Sequence, residues 1–155
     1  MADSNIQQTL IIAKPDAVQR GLIGTVLGRL EQRGLRIVAL RLLQIDRELA
    51  ERHYAEHQGK SFFAGLVEYI TSTPVALAVF EGPNAVAAAR ATMGATNPLA
   101  AATGTIRGDY ALEIGRNLVH GSDSVESARK EIALYFRPEE LVTYRRDIDQ
   151  WVSEH

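Results

Sequence analysis

Short apolar runs alternate with helical periodicities along this chain, and that alternation limits its fold more than any other feature. Residues 9–13 read Thr-Leu-Ile-Ile-Ala and end at Lys14-Pro15-Asp16. A short, apolar, β-branched run of this kind is a buried strand. Leu22, Val26, Leu30 and Arg33 follow at helical spacing, and Gly34 ends that helix. Residues 35–45 read as a second strand. Asp46 is a good N-cap for a helix over 47–57. Residues 62–69 are helical in pattern, and 75–80 form a third strand between Pro74 and Gly82. Residues 84–93 predict a helix with Arg90 in its last turn, and 94–107 a long loop holding Asn97-Pro98 and Gly104. Loops of that length inside a domain are often functional. Residues 117–119 suit a short fourth strand. Asp123 and Glu126 have the spacing of a capping box, and Val125, Ala128, Ile132 and Tyr135 recur behind them as one helix face. Pro138 closes that helix. In the tail, Trp151 reads as a hydrophobic anchor flanked by Ile148 and Val152. Strands separated by one-sided helices predict an α/β sandwich.

The chain has 155 residues, a length that suits one domain over 1–155, and such a domain buries about 70% of its unfolded surface. Cysteine is absent, which removes disulfides, thiolate zinc sites and a cysteine nucleophile. The net charge is −2, from 17 Lys+Arg against 19 Asp+Glu, so nucleic acid is not expected as the main partner. No run reaches the roughly 18 apolar residues of a membrane span. The polar first eight residues lack a secretion signal's apolar core. A cytoplasmic location without a membrane partner is the expectation.

Several nucleotide and hydrolase signatures are missing. There is no Gly-x-x-x-x-Gly-Lys-Ser/Thr, no Gly-x-Gly-x-x-Gly, no His-Glu-x-x-His and no Gly-x-Ser-x-Gly. His120 lies in Arg116-Asn117-Leu118-Val119-His120-Gly121-Ser122-Asp123-Ser124. One reading is a histidine that merely finishes a strand. The sharper one uses its neighbours. Gly121 allows close backbone approach, Ser122 offers a hydroxyl and an amide near a helix N-terminus, and Glu131 lies two turns into the next helix. An imidazole held through one ring nitrogen is a nucleophile at the other, and a phosphoryl group is a natural electrophile. Without a P-loop, side chains must neutralise the phosphates. Lys14, Arg90 and Arg107 each end an element and are candidates, although any one alone reads more readily as a solvated surface charge. His53 and His57 are four apart on the predicted helix, which reads as a solvated face rather than a metal site.

The segment from Asn117 to Ser124 resembles the active-site signature of nucleoside diphosphate kinases. Residues 13–21 (Ala-Lys-Pro-Asp-Ala-Val-Gln-Arg-Gly), His53-Tyr54, Phe62-Phe63-Ala64-Gly65-Leu66, Gly94-Ala95-Thr96-Asn97-Pro98 and Gly104-Thr105-Ile106-Arg107-Gly108-Asp109 match the same family in order. The resemblance covers about 8–151. It implies a ferredoxin-like βαββαβ sandwich with a four-stranded antiparallel sheet and added helices. It also implies transfer of the γ-phosphoryl group from a nucleoside triphosphate such as ATP to a nucleoside diphosphate. In that reading His120 becomes phosphohistidine in a ping-pong reaction, with Glu131 and Ser122 supporting its geometry. Lys14, Tyr54, Arg90, Thr96, Arg107 and Asn117 hold phosphates and sugar. Phe62 stacks on the base, with Leu66 and Ile114 beside it. Mg2+ rides on the nucleotide phosphates rather than in a protein cage. Stacking accepts any base, so broad base and sugar tolerance is expected. The long tail resembles that of hexameric members more than that of tetrameric ones. The chain departs from the family at Ala17, at Ser61 and over 99–103.

Overall fold

A computed structural model describes residues 5–154. Four strands, β1 (Ile6–Ala13), β2 (Arg36–Leu43), β3 (Val75–Pro83) and β4 (Val119–Gly121), form one antiparallel sheet in the order β2-β3-β1-β4. β1 is central. It pairs with β3 from Ile6↔Pro83 to Ala13↔Ala76 and with β4 from Ile11↔Gly121 to Ala13↔Val119. With α2 (Ile23–Arg33) between β1 and β2, and α5 (Ala85–Met93) between β3 and β4, this is the ferredoxin-like βαββαβ arrangement.

The two-residue period of β1 sorts its side chains into two cores. Ile11 and Ala13 join Val26 and Leu30 of α2 and Ala89 and Met93 of α5. Leu10 and Ile12 join Val67 and Ile70 of α4 (Phe63–Ile70) and Ile132 of α7 (Val125–Tyr135). A strand covered on both faces has no polar side to display, which is why 9–13 read as an unbroken apolar run. Gly34 caps α2 at φ 117° with its N–H on the Glu31 carbonyl. A Cβ there would also lie 2.7 Å from Val152 Cγ1, so this glycine serves both the left-handed cap and the close approach of the tail.

Several boundaries differ from the sequence expectations. The helix predicted over 47–57 divides into α3 (Arg47–His53) and a 3₁₀ turn at Ala55–His57. The fourth strand starts at Val119 rather than at 117. The N-cap of α7 is Ser124, whose Oγ accepts from the Ser127 amide at 3.0 Å, not Asp123. The stretch 94–107 is folded rather than open. It contains a 3₁₀ turn at Pro98–Ala100 and leads into α6 (Ile106–Tyr110), capped by the Thr105 side chain. A Cβ at Gly108 would fall 1.9 Å from the Ala102 carbonyl oxygen, so only glycine lets this loop close on the helix. Trp151 is not the tail's anchor, since it is 83% exposed. Arg146 does that work, donating to the Gly34 carbonyl at 2.8 Å and pairing with Asp149 at 2.7 Å, while Asp149 also pairs with Arg36 at 2.9 Å. A short helix, α8 (Asp149–Val152), carries that carboxylate. His155 lies outside the described residues.

Candidate active site

β4 is the shortest strand and lies at an edge of the sheet, and its pairing places His120 opposite Ile12 of the central strand β1. Its imidazole Nε2 lies 3.0 Å from Glu131 Oε1, one oxygen of a carboxylate on α7. Ser122 Oγ donates to the same Oε1 at 2.7 Å and accepts the Leu10 amide at 3.2 Å. The Ser122 amide is itself bonded to the Leu10 carbonyl. It is therefore not a free anion donor, contrary to the reading from its place before a helix. Burial works to raise the Glu131 carboxyl, yet hydrogen bonds from His120 and Ser122 hold it below the usual carboxylate range. An ionised carboxylate only accepts, so the proton of the pair sits on Nε2 and the lone pair sits on Nδ1.

His53, at the end of α3, departs from its predicted place on a solvated face. Its ring centroid lies 5.0 Å from that of His120, 4.7 Å from Tyr54 and 5.7 Å from Tyr135. Burial, with His120 nearby, pulls its pKa down to about 4, and its Nδ1 is buried without a hydrogen-bond partner. Burial pushes the Tyr54 phenol up to about 12, so it stays a neutral donor. His57 turns instead to Phe62, at 5.2 Å between rings. Among the described residues, the one group of three or more with metal-ligand atoms in reach of one another is His53, His120 and Glu131. Two imidazoles and one carboxylate suit zinc-like ions, whereas Mg2+ wants an oxygen shell. These three residues therefore do not make a shell that would hold Mg2+.

The cationic side chains converge on residues 117–121. Lys14 Nζ donates to Asn117 Oδ1 at 2.6 Å, and Asn117 Nδ2 donates to the Thr96 carbonyl at 3.0 Å. Buried Arg107 reaches three carbonyls: Asn117 at 3.2 Å, Gly94 at 3.0 Å and Val119 at 2.6 Å. Arg90 donates to the Gly121 carbonyl at 3.1 Å. Burial, then the neighbouring Arg107, lowers Lys14 to about 8, and burial with Arg90 lowers Arg107 to about 10. Lys14 and Arg107, each lowered by burial and then by a neighbouring cation, leave a demand for an anion.

The apolar candidates stand apart. Phe62 precedes α4 and is 49% exposed, Leu66 lies one turn on, and Ile114 is 60% exposed in the segment before β4. No hydrogen bond ties these side chains to the His120 cluster. A cleft of about 620 Å³, lined by Pro15, Asp16, Arg20, Tyr69 and Arg116 among others, contains none of the predicted site residues. Concavity alone therefore does not find the chemistry.

One feature of the site has no sequence signal. Leu118, fully buried, has φ 73°, and the Val119 amide donates to the Asn117 carbonyl at 2.8 Å across it. This is a γ-turn of the rare strained hand, a conformation that costs a branched residue about 1–3 kcal/mol. It persists because both backbone groups of Leu118 are held. Its carbonyl accepts the Lys14 amide at 2.9 Å, and its amide donates to buried Asp16 Oδ2 at 3.0 Å.

A ferredoxin-like sheet that presents a carboxylate-backed histidine beside Lys14, Arg90 and buried Arg107 defines a protein equipped for covalent transfer of an anionic group. The family model described as nucleoside diphosphate kinase matches residues 7–141, and the chain belongs to that family. It is 61% identical over 147 residues to a nucleoside diphosphate kinase of Thermomicrobium roseum, covering 95% of this chain and 99% of the relative. It is also 61% identical over 149 residues to one of Roseiflexus castenholzii, covering 96% and 100%. The solved structure of a halophilic nucleoside diphosphate kinase from Halobacterium salinarum in complex with CDP superposes with a TM-score of 0.92 at 50% identity, covering 95% of this chain and 98% of that one. A family structure from Babesia bovis gives the same TM-score at 42% identity. Among the described residues no helix is long and apolar enough to cross a membrane.

Proposed function

We propose that the protein moves the γ-phosphoryl group of a nucleoside triphosphate to a nucleoside diphosphate through phosphohistidine on His120. The observation that carries this reading is the His120–Glu131 contact, which binds Nε2 and leaves the Nδ1 lone pair for attack. Nδ1 attacks the γ-phosphorus. The bond to the β–γ bridging oxygen breaks, and the nucleoside diphosphate leaves with that electron pair. A terminal oxygen of a second diphosphate then attacks the phosphohistidine, and the P–N bond returns its electrons to Nδ1. Glu131 stabilises the imidazolium that forms while phosphorus is bound, and Ser122 fixes the carboxylate. Bound Mg2+ supplies charge neutralisation on the phosphates.

Lys14, Arg90 and Arg107 neutralise the remaining phosphate charge, and Tyr54, Thr96 and Asn117 complete the phosphate and sugar contacts. Phe62 stacks on the base beside Leu66 and Ile114. A stacking face admits every base, which supports broad tolerance of nucleoside di- and triphosphates; the Halobacterium salinarum relative was solved with the pyrimidine nucleotide CDP. The chain acts as one domain over 1–155, in the cytoplasm, and assembles as a homo-oligomer, a hexamer rather than a tetramer. Exposed Leu40 and Leu42 on β2, an edge strand of the sheet, support self-assembly.

The test is incubation of the pure protein with γ-labelled ATP and Mg2+ without acceptor, followed by GDP. Acid-labile, base-stable label that maps to His120 and moves to GTP is expected. Binding of ATP without label would overturn the reading.

A further inference from the structure

The strained γ-turn at Leu118 stands immediately before the strand that carries His120, and the side chains that hold it come from outside the set of site residues named above. Asp16, near the start of α1 (Pro15–Gln19), is almost fully buried. Its Oδ2 accepts the Leu118 amide at 3.0 Å, while its Oδ1 accepts the Tyr69 hydroxyl at 2.5 Å. The same hydroxyl accepts the Asp16 amide at 3.1 Å. Tyr69 lies on α4, with the Arg116 guanidinium 4.5 Å from its ring centre. A continuous chain therefore runs from α4 through a phenol and a carboxylate to the backbone of Leu118. Neither side chain contacts His120, Glu131 or Ser122.

The turn governs what lies on each side of it. Before it, Asn117 meets Lys14 and Thr96 through its side chain and Arg107 through its carbonyl. After it, Val119 gives its carbonyl to Arg107, and β4 begins. β4 has only three residues, too few to set their own register against β1. The conformation of Leu118 decides where His120 Nδ1 stands relative to the cations.

We infer that Asp16 and Tyr69 are positioning residues for phosphoryl transfer, the carboxylate locking Leu118 in its left-handed turn and the phenol locking the carboxylate. The carboxylate acts on the Leu118 amide, and the phenol acts on Asp16, donating to its carboxylate and accepting its backbone amide. Relaxation of Leu118 toward an ordinary conformation moves β4, and a displacement of about 1 Å at a reacting atom costs on the order of 100-fold in rate.

This inference rests on His120 as the phosphoryl carrier. The label experiment on the wild-type protein tests that premise first, so failure of the premise is visible before any variant is made. The variants are Tyr69→Phe, which keeps the ring and its packing, Asp16→Asn, which keeps one acceptor oxygen, and the pair combined. Each is first shown by calorimetry to be folded at the assay temperature. Single-turnover phosphorylation of His120 by saturating ATP is then compared with equilibrium ATP affinity. Tyr69→Phe is expected to slow phosphorylation on the order of tenfold and Asp16→Asn on the order of 100-fold, with affinity within about twofold of wild type. The double variant is expected to lose less than the product of the two single losses, because much of the phenol's effect runs through the carboxylate. Folded single variants that phosphorylate at the wild-type rate overturn the inference. So does a loss that falls wholly on ATP affinity, or a double variant whose effects multiply.

Discussion

Around His120 the charged side chains are tied. Glu131 is shared by His120 and Ser122, Arg107 is spread over three carbonyls, and Lys14 is fixed to Asn117. At the other end Phe62 and Ile114 are half exposed or more and carry no polar atom to tie. The first region spends burial and mutual repulsion of cations to hold atoms in place. The second offers only a surface. The difference suits a reaction in which the phosphates are the same for every substrate and the bases are not, because positional precision matters at the reacting atoms and a π-face is indifferent to base identity.

The largest break in that comparison comes from removing the proposed nucleophile. His120→Ala leaves Lys14, Arg90 and Arg107 in place, so nucleotide binding is expected to stay near wild type in calorimetric titration. Transfer from ATP to GDP should fall by at least about 1,000-fold, as is usual when an attacking group is deleted. A variant that still transfers at a tenth of the wild-type rate would place the covalent step elsewhere.

Arg107→Ala should break the fixed end differently. It removes a proposed phosphate partner and orphans the carbonyls of Asn117, Gly94 and Val119 together. Nucleotide affinity should weaken by about 2–4 kcal/mol, and the melting temperature should fall as well. Unchanged affinity would remove Arg107 from the phosphate contacts and leave it a structural clamp.

Which parts of this division are readable in the sequence follows from what sets each one. The apolar runs of β1 and β3 are legible because burial on both faces demands continuous hydrophobicity. Lys14, Arg107 and His120 are legible because their motifs are local. The left-handed turn at Leu118 is not, since the residue types that mark such a conformation are glycine and asparagine, and here a side chain from Asp16, 102 positions away, imposes it. His53 looks exposed because a histidine pair four apart suits a solvated face. In the fold α3 ends at His53, and the ring turns inward against His120. Trp151 looks like an anchor because it is large and apolar, whereas the tail is held by Arg146 and Asp149, whose partners are backbone carbonyls and distant charges.

The open end is tested by Phe62→Ala. Loss of a stacking face is expected to cost about 1–3 kcal/mol in nucleotide affinity. The sharper expectation is uniformity, with ADP, GDP, CDP and UDP weakening by factors that agree within about threefold. A loss confined to purines would show that this rim reads base identity after all.

The smallest expected effect lies in pH and sets the two ends against each other without a mutation at the reacting atom. Lys14 is lowered from its usual 10.5 to about 8, first by burial and then by Arg107. Only the protonated amine attracts phosphate. Nucleotide affinity should therefore be full below about pH 8 and decline as pH rises through it, by on the order of tenfold one unit above. The contribution of the same group to stability runs the other way. Between about pH 8 and 10.5 the unfolded chain binds more protons at this lysine than the folded one does, so stability rises with pH there. An affinity loss in that window is thus separable from unfolding by a melting curve at each pH. Lys14→Arg keeps its charge throughout and should flatten the affinity profile, while Phe62→Ala should lower it without changing its shape. An inflection near pH 8 that survives Lys14→Arg would assign the titration to a different group and leave Lys14 as a partner of Asn117 alone.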